Sequence, residues 1–104
     1  MKQRFRLTPE ARADLREILL DIATDSPDTA ERLRYEFYQA LLGLARAPGT
    51  GHYHEELLDR RYRFWNFYSH VICYLWRKKP IQIIAVLHGA RNLAALLAAR
   101  ANME

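Results

Sequence analysis

The stretch Ile81–Asn92, IQIIAVLHGARN, constrains the rest of the chain more than any other. A run of β-branched and apolar residues that is too short for a helix and is followed by a glycine reads as a buried central strand. Gly89 lets the backbone turn at the end of that strand, which leaves His88 and Arg91 near the mouth of a sheet rather than inside it. A working surface is expected at that mouth. The plainer alternative is that His88 caps the strand and Arg91 is solvated, because single polar residues usually serve structure.

A buried strand needs neighbours on both sides, and the chain supplies them in order. Arg4 to Thr8 alternate, with Phe5 and Leu7 on one side, which predicts a short half-buried strand. Thr8-Pro9-Glu10 then offers a hydroxyl cap, a proline at the first helical position and an acid in the first turn. Ala11, Leu15, Ile18, Leu19 and Ile22 follow helical spacing to a helix end near Thr24. Asp25-Ser26-Pro27-Asp28 repeats the start signal, so the two helices form an antiparallel hairpin. In the second helix Ala30, Leu33, Phe37, Ala40, Leu41 and Leu44 make the core stripe. Tyr35, Tyr38 and Leu42 widen it enough to imply a second packing partner, most simply a sheet. Glu31, Arg32, Arg34 and Glu36 read as a solvated face.

Ala47-Pro48-Gly49-Thr50-Gly51 ends that helix and opens a loop through His52, Tyr53, His54, Glu55 and Glu56. The two histidines beside two acids do not have the spacing of a zinc site, and no metal or other cofactor is expected. From Arg61 the period changes to two. Arg61 to Phe67 gives a strand, Ser69 and His70 a turn, and Val71 to Trp76 a third strand. Arg77-Lys78-Lys79-Pro80 is a basic turn into Ile81. The last three strands form an antiparallel meander, while the partner of the first strand stays open. Leu93, Leu96 and Leu97 lie in an alanine-rich tail helix whose apolar edge is expected to be exposed to a partner. The architecture is α+β: an N-terminal strand, an antiparallel helix hairpin packed on one face of a mainly antiparallel sheet, and a short C-terminal helix.

Residues 1–104 suffice for one domain with a single core. Cys73 is the only cysteine, which excludes an internal disulfide or a cysteine-based zinc site and suits a reducing cytoplasm. No run approaches the roughly 20 apolar residues of a membrane span, and the basic start MKQRFRLTPEAR lacks the apolar stretch of a signal peptide. From Asp59 to Arg91, seven cations (Arg60, Arg61, Arg63, Arg77, Lys78, Lys79, Arg91) face the single acid Asp59. Such a one-sided basic lobe attracts nucleic acid or an acidic protein segment, and charge alone does not choose between them.

The segments RLTPEARADLREI, APGTG, RRYRFWNFYSHVICYLW and above all VLHGARN resemble the toxins of type II toxin–antitoxin systems, in the superfamily joining ParE and RelE toxins. The similarity covers nearly the whole chain and is stronger to the ParE branch, also called plasmid stabilisation proteins. It implies a small bacterial toxin encoded beside an antitoxin that neutralises it. ParE-like members poison DNA gyrase and arrest growth, whereas RelE-like members cut messenger RNA in the ribosome.

RelE-like toxins resemble one another in carrying arginines at the start of strand three and after strand four, with a tyrosine or histidine near the C-terminus. This chain has His70 at the first of these places, no tyrosine after Tyr74, and only Arg100 as a cation beyond Arg91. A partial nuclease set consists of Glu56, Arg63, His70, His88 and Arg91, with His88 as acid or base and Arg63 and Arg91 steadying the phosphate. The chain also differs from many ParE members, with Ala85 where they carry arginine and Asn92 where they carry aspartate; Asn92 can still cap the tail helix. The leading expectation is a toxin that inhibits DNA gyrase by binding, without covalent chemistry, through Arg63, Arg77, His88 and Arg91. Its antitoxin would contact Tyr35, Tyr38, Leu93, Leu96 and Leu97, and DNA would be met only indirectly through the antitoxin complex. A ribosome-dependent messenger RNA endonuclease is the alternative. A third reading, prompted by Ala85, is an inactive toxin that survives in an autoregulatory complex with its antitoxin.

Overall fold

The structure is a computed structural model and describes residues 4–55, 57–89 and 93–101. The elements follow in the order β1 (Phe5–Leu7), α1 (Pro9–Asp25), α2 (Pro27–Arg46), a single 3-10 turn (Pro48–Thr50), β2 (Tyr62–Phe67), β3 (His70–Leu75), β4 (Ile81–His88) and α3 (Leu93–Ala101). Both helix starts use the caps written in the sequence. The Ala11 N–H donates to the Thr8 hydroxyl at 3.1 Å and the Thr29 N–H to that of Ser26 at 3.2 Å, each ahead of a proline in the first turn. One residue, Ser26, is both the end of α1 and the cap of α2, so the helices fold back as a hairpin.

The four strands form one sheet in the order β1-β4-β3-β2. The meander is antiparallel, and β1 pairs in parallel with β4, Phe5 to Leu7 lying opposite Ile81 to Ile83. β4 is therefore central, and β1 covers only the first part of its outer edge.

Each sheet face carries its own apolar cluster. On one, Ala11 of α1 and Phe37, Leu41 and Leu44 of α2 pack on Ile72, Tyr74, Ile81, Ile83 and Val86. On the other, Tyr62, Phe64, Cys73, Leu75, Ile84 and Ala85 are covered by Leu93 and Leu97 of α3. The helix hairpin takes one face as expected, and the expectation of an exposed apolar edge on the tail helix is corrected here. A sheet apolar on both faces needs two covers, and Leu93 and Leu97 are buried to within 4% and 2% of full burial. Leu96 is half-buried. Burial pushes the Cys73 thiol well above its ordinary range, so it behaves as a small core hydrophobe.

A bulge sets which residues of β4 face which cluster. Opposite β3 the register passes from Cys73 facing Ala85 to Tyr74 facing Ile83, so Ile84 is an extra residue. Ile84 and Ala85 consequently both face α3, and alternation resumes with Val86 toward the helix hairpin. Were β4 regular, with Ile84 and Ala85 on alternate faces, His88 would lie on the α3 side.

The bulge is held from both layers. The Val86 N–H donates to Asp14 of α1 at 2.9 Å, and Arg100 of α3 donates to the Ile84 carbonyl at 3.0 Å. Arg100 and Asp14 also pair directly, with Nη1 and Oδ2 2.7 Å apart. Arg100, a cation left over in the sequence, is thus a structural group, and its partner raises its pKa further. Ala85 is completely buried. In this fold the position contributes core volume, not surface charge.

Candidate functional site

The proposed site residues occupy opposite ends of the sheet. At one end the bulge places His88 opposite His70, with ring centroids 5.1 Å apart. His70 begins β3 because the turn ahead of it is tight. Tyr68 adopts φ of 53°, a left-handed conformation unusual for so large a residue, and its hydroxyl donates to Glu36 of α2 at 2.6 Å. Gly89, with φ of 78°, turns the chain after His88, and its N–H donates to the Ser69 carbonyl at 3.1 Å. The two turns are tied to each other and hold the imidazoles side by side.

These histidines stand at the rim of a cleft of about 690 Å³ between the sheet and the helix hairpin. Ile18, Ile22, Leu33, Phe37 and Phe67 give it an apolar floor, and Glu17, Asp21 and Arg32 bring charge to its wall. Phe37 and Phe67 stack with centroids 4.1 Å apart, and Phe37 meets His70 edge-on. Burial, and then the neighbouring His88, holds the His70 imidazole below its ordinary pKa. His70 is therefore neutral at neutral pH and can donate or accept a hydrogen bond. The cleft suits an apolar side chain or short amphipathic segment that also meets this polar rim.

At the other end Arg63 is enclosed. Its guanidinium lies 4.3 Å from the Tyr53 ring centre and 4.2 Å from that of Trp76. It donates to the Gly51 carbonyl at 2.6 Å and to the Tyr53 hydroxyl at 3.3 Å. Arg60 stacks on Tyr53 at 4.3 Å and Arg77 on Trp76 at 4.6 Å, which makes a ladder of alternating guanidinium and ring. Gly51 is required beneath it. A methyl there would sit 2.5 Å from the Tyr74 hydroxyl and 2.7 Å from the Phe64 carbonyl. Tyr74 accepts the Gly51 N–H at 2.9 Å and donates to the Pro48 carbonyl at 2.6 Å, which locks the loop to β3.

The structure thus brings His70 and His88 together but not with Arg63 or Arg77. Arg91, Glu56 and Asn92 lie outside the described residues. Tyr35 and Tyr38 stand on α2 at 63% and 52% exposure, beyond the sheet rather than under it, with Tyr38 edge-on to Phe5. Glu31 with Arg34 and Arg32 with Glu36 pair along α2 as a solvated face does, although Arg32 also reaches the cleft wall. His52 pairs its backbone with Phe64. Among the described residues no group of three or more His, Cys, Asp or Glu could hold a metal ion. Glu17, Asp21, Phe67 and Tyr68 are cleft residues that the sequence reading did not single out. Glu17, Ile18, Asp21 and Ile22 share one helical face, which was the available signal.

The profile of the family described as ParE toxin of type II toxin-antitoxin system, parDE, matches residues 5–93. The chain belongs to the ParE toxin family. The match runs from β1 to the first residue of α3 and so takes in both sheet ends. As a ParE toxin, the protein is the toxin half of a type II toxin–antitoxin system, and an antitoxin is its expected partner. A search of curated proteins finds no match. Among the described residues, no helix of this ParE toxin is long and apolar enough to cross a membrane.

Proposed function

We propose that this toxin inhibits DNA gyrase by binding it, with no bond-breaking chemistry of its own, and that its antitoxin neutralises it by covering the α2 tyrosines and the cleft beside them. The separation of His88 from Arg63 carries this reading. A nuclease built from the sequence-derived set needs one residue to move a proton while the other holds the same phosphate. His88 lies opposite His70 and Arg63 opposite Tyr74, four residues further along β3. That is about 13 Å along the strand and a further ~10 Å across two strand spacings. Arg63 is also committed to Gly51, Tyr53 and Trp76. A target-binding surface has no such requirement, since a large partner can meet the histidine-rimmed cleft and the exposed Arg77 at separate points.

The test is a supercoiling assay with purified protein, DNA gyrase and relaxed plasmid, scoring cleaved DNA beside supercoiled product. Loss of supercoiling with accumulation of cleaved plasmid is the expected result; normal supercoiling at saturating toxin overturns the reading. The paired imidazoles favour one second reading, a messenger RNA endonuclease on translating ribosomes, because His70 beside His88 supplies two groups of the kind that move protons in such a reaction. On that reading His88→Ala lowers cleavage by orders of magnitude while binding is kept.

A further inference from the structure

A second cleft, of about 470 Å³, opens at the sheet end opposite the histidines and is lined by Arg4, Arg46, Lys78 and Lys79 around Pro48 and Pro80. No Asp or Glu is among the residues that line it. The cations come from three separate places in the chain: ahead of β1, the last turn of α2, and the turn between β3 and β4. All four are exposed, and none takes part in an ion pair among the described residues. The end of a helix favours Arg46 where it stands. It does not account for the other three, whose convergence is repulsive until an anion joins them.

The wall of this cleft continues directly into the ladder of rings and guanidinium groups, through Lys78 to Arg77 on Trp76 and on to Arg63, Tyr53 and Arg60. The ladder ends at both sides in an exposed arginine, Arg60 or Arg77. Asp59, the acid beside it, is already held by Arg61 through both carboxylate oxygens. Cations without counter-charges next to exposed guanidinium planes are what a nucleic acid strand uses, the first for phosphates and the second for stacked bases. An acidic peptide would meet the charges but offers no flat bases to the guanidinium planes.

We propose that the Arg4–Arg46–Lys78–Lys79 cleft binds the phosphodiester backbone of a nucleic acid strand, with the Arg77 end of the ladder stacking an adjacent base. This goes beyond the gyrase reading and does not depend on it, because it requires a direct contact with nucleic acid and a cleft that the gyrase reading does not use, Arg77 alone being shared by the two.

The experiment is fluorescence anisotropy of a labelled 20-nucleotide single-stranded DNA with the full chain, titrated across a series of salt concentrations, beside a labelled polyglutamate of matched charge. Four phosphate contacts predict a log–log salt slope of about −3, and Lys78→Gln with Lys79→Gln should reduce its magnitude by about 1.4. Both lysines are exposed turn residues, so the double variant should keep the parent's melting temperature, checked by circular dichroism. Arg77→Gln should weaken DNA binding severalfold, and polyglutamate should bind at least tenfold more weakly than DNA. Absence of DNA binding at low salt, an unchanged slope in the folded double variant, undiminished binding by Arg77→Gln, or equal affinity for polyglutamate would each overturn the proposal.

Discussion

Asp14 and Arg100 meet over the part of β4 that β1 leaves uncovered, and between them they take the Val86 N–H and the Ile84 carbonyl. Their side chains are only 17% and 14% exposed, so the pair is held largely away from water. Asp14→Ala would strip a partner from both a backbone donor and a guanidinium, at a cost of about 2–4 kcal/mol. Urea unfolding should show that loss. A double-mutant cycle with Arg100→Met should show a coupling above about 1 kcal/mol, and additive losses would mean that the two groups act independently.

Replacing Arg63 by lysine keeps the charge and loses the planar fork. Lysine cannot stack between Tyr53 and Trp76 while also reaching Gly51. The expected cost is about 1–2 kcal/mol, read from the denaturant midpoint. An unchanged midpoint would show Arg63 to be free for a partner.

Gly51→Ala should cost roughly 1–3 kcal/mol, because the added carbon meets both a side chain and a backbone carbonyl. For a domain of this size that lowers the melting temperature by at least about 4 °C. Tyr74→Phe in the same chain should not rescue it, since the Phe64 carbonyl stays in place.

Stability should fall on mild acidification. The folded state holds the His70 pKa below its ordinary value, so between that lowered value and about 6.5 the unfolded chain binds more protons. The contribution is complete above about pH 6.5 and is lost as the pH drops through the window beneath it. Glu17 and Asp21 of α1, Arg32 of α2 and His88 of β4 face the same cleft. Melting temperatures from pH 8 to pH 5 should show a shallower decline for His70→Asn than for the parent. Parallel curves would assign the decline to other groups.

The antitoxin surface is testable on α2. Tyr35→Ala removes a ring that is mostly exposed, so stability should stay within about 0.5 kcal/mol while antitoxin affinity falls at least about tenfold. Leu97→Ala should do the reverse first, costing about 2–4 kcal/mol of stability through the core beneath α3. Titration calorimetry on variants that remain folded separates the two effects.

The helix hairpin was legible because Thr8-Pro9 and Ser26-Pro27 are local signals whose cap bonds form as written. The meander was legible for the same reason, its turns being short and marked. The parallel partner of β1 was not, since pairing between Phe5 and Ile81 depends on everything folded between them. The bulge left no trace either, because Ile84 and Ala85 sit in an apolar run with both faces buried, where alternation carries no phase. Leu93 and Leu97 looked like a surface edge only while the second sheet face went uncounted. Tyr62, Phe64, Cys73 and Leu75, apolar at alternate positions, already called for a cover. Arg63 read as a free cation because its two aromatic neighbours, Tyr53 and Trp76, lie ten or more residues away.

The extra residue at Ile84 makes the address of His88 a matter of counting. Regular alternation through Ile84 and Ala85, with every residue kept, would leave a strand of good composition and nearly full pairing, yet it would hand the imidazole to the other layer of the molecule. The turn from Arg77 to Pro80 lies outside that count, so its length can drift while β4 cannot straighten its bulge with every residue kept and still hold its histidine in place. Asp14 and Arg100, far from His88 in the chain, act as the clamp that keeps the count.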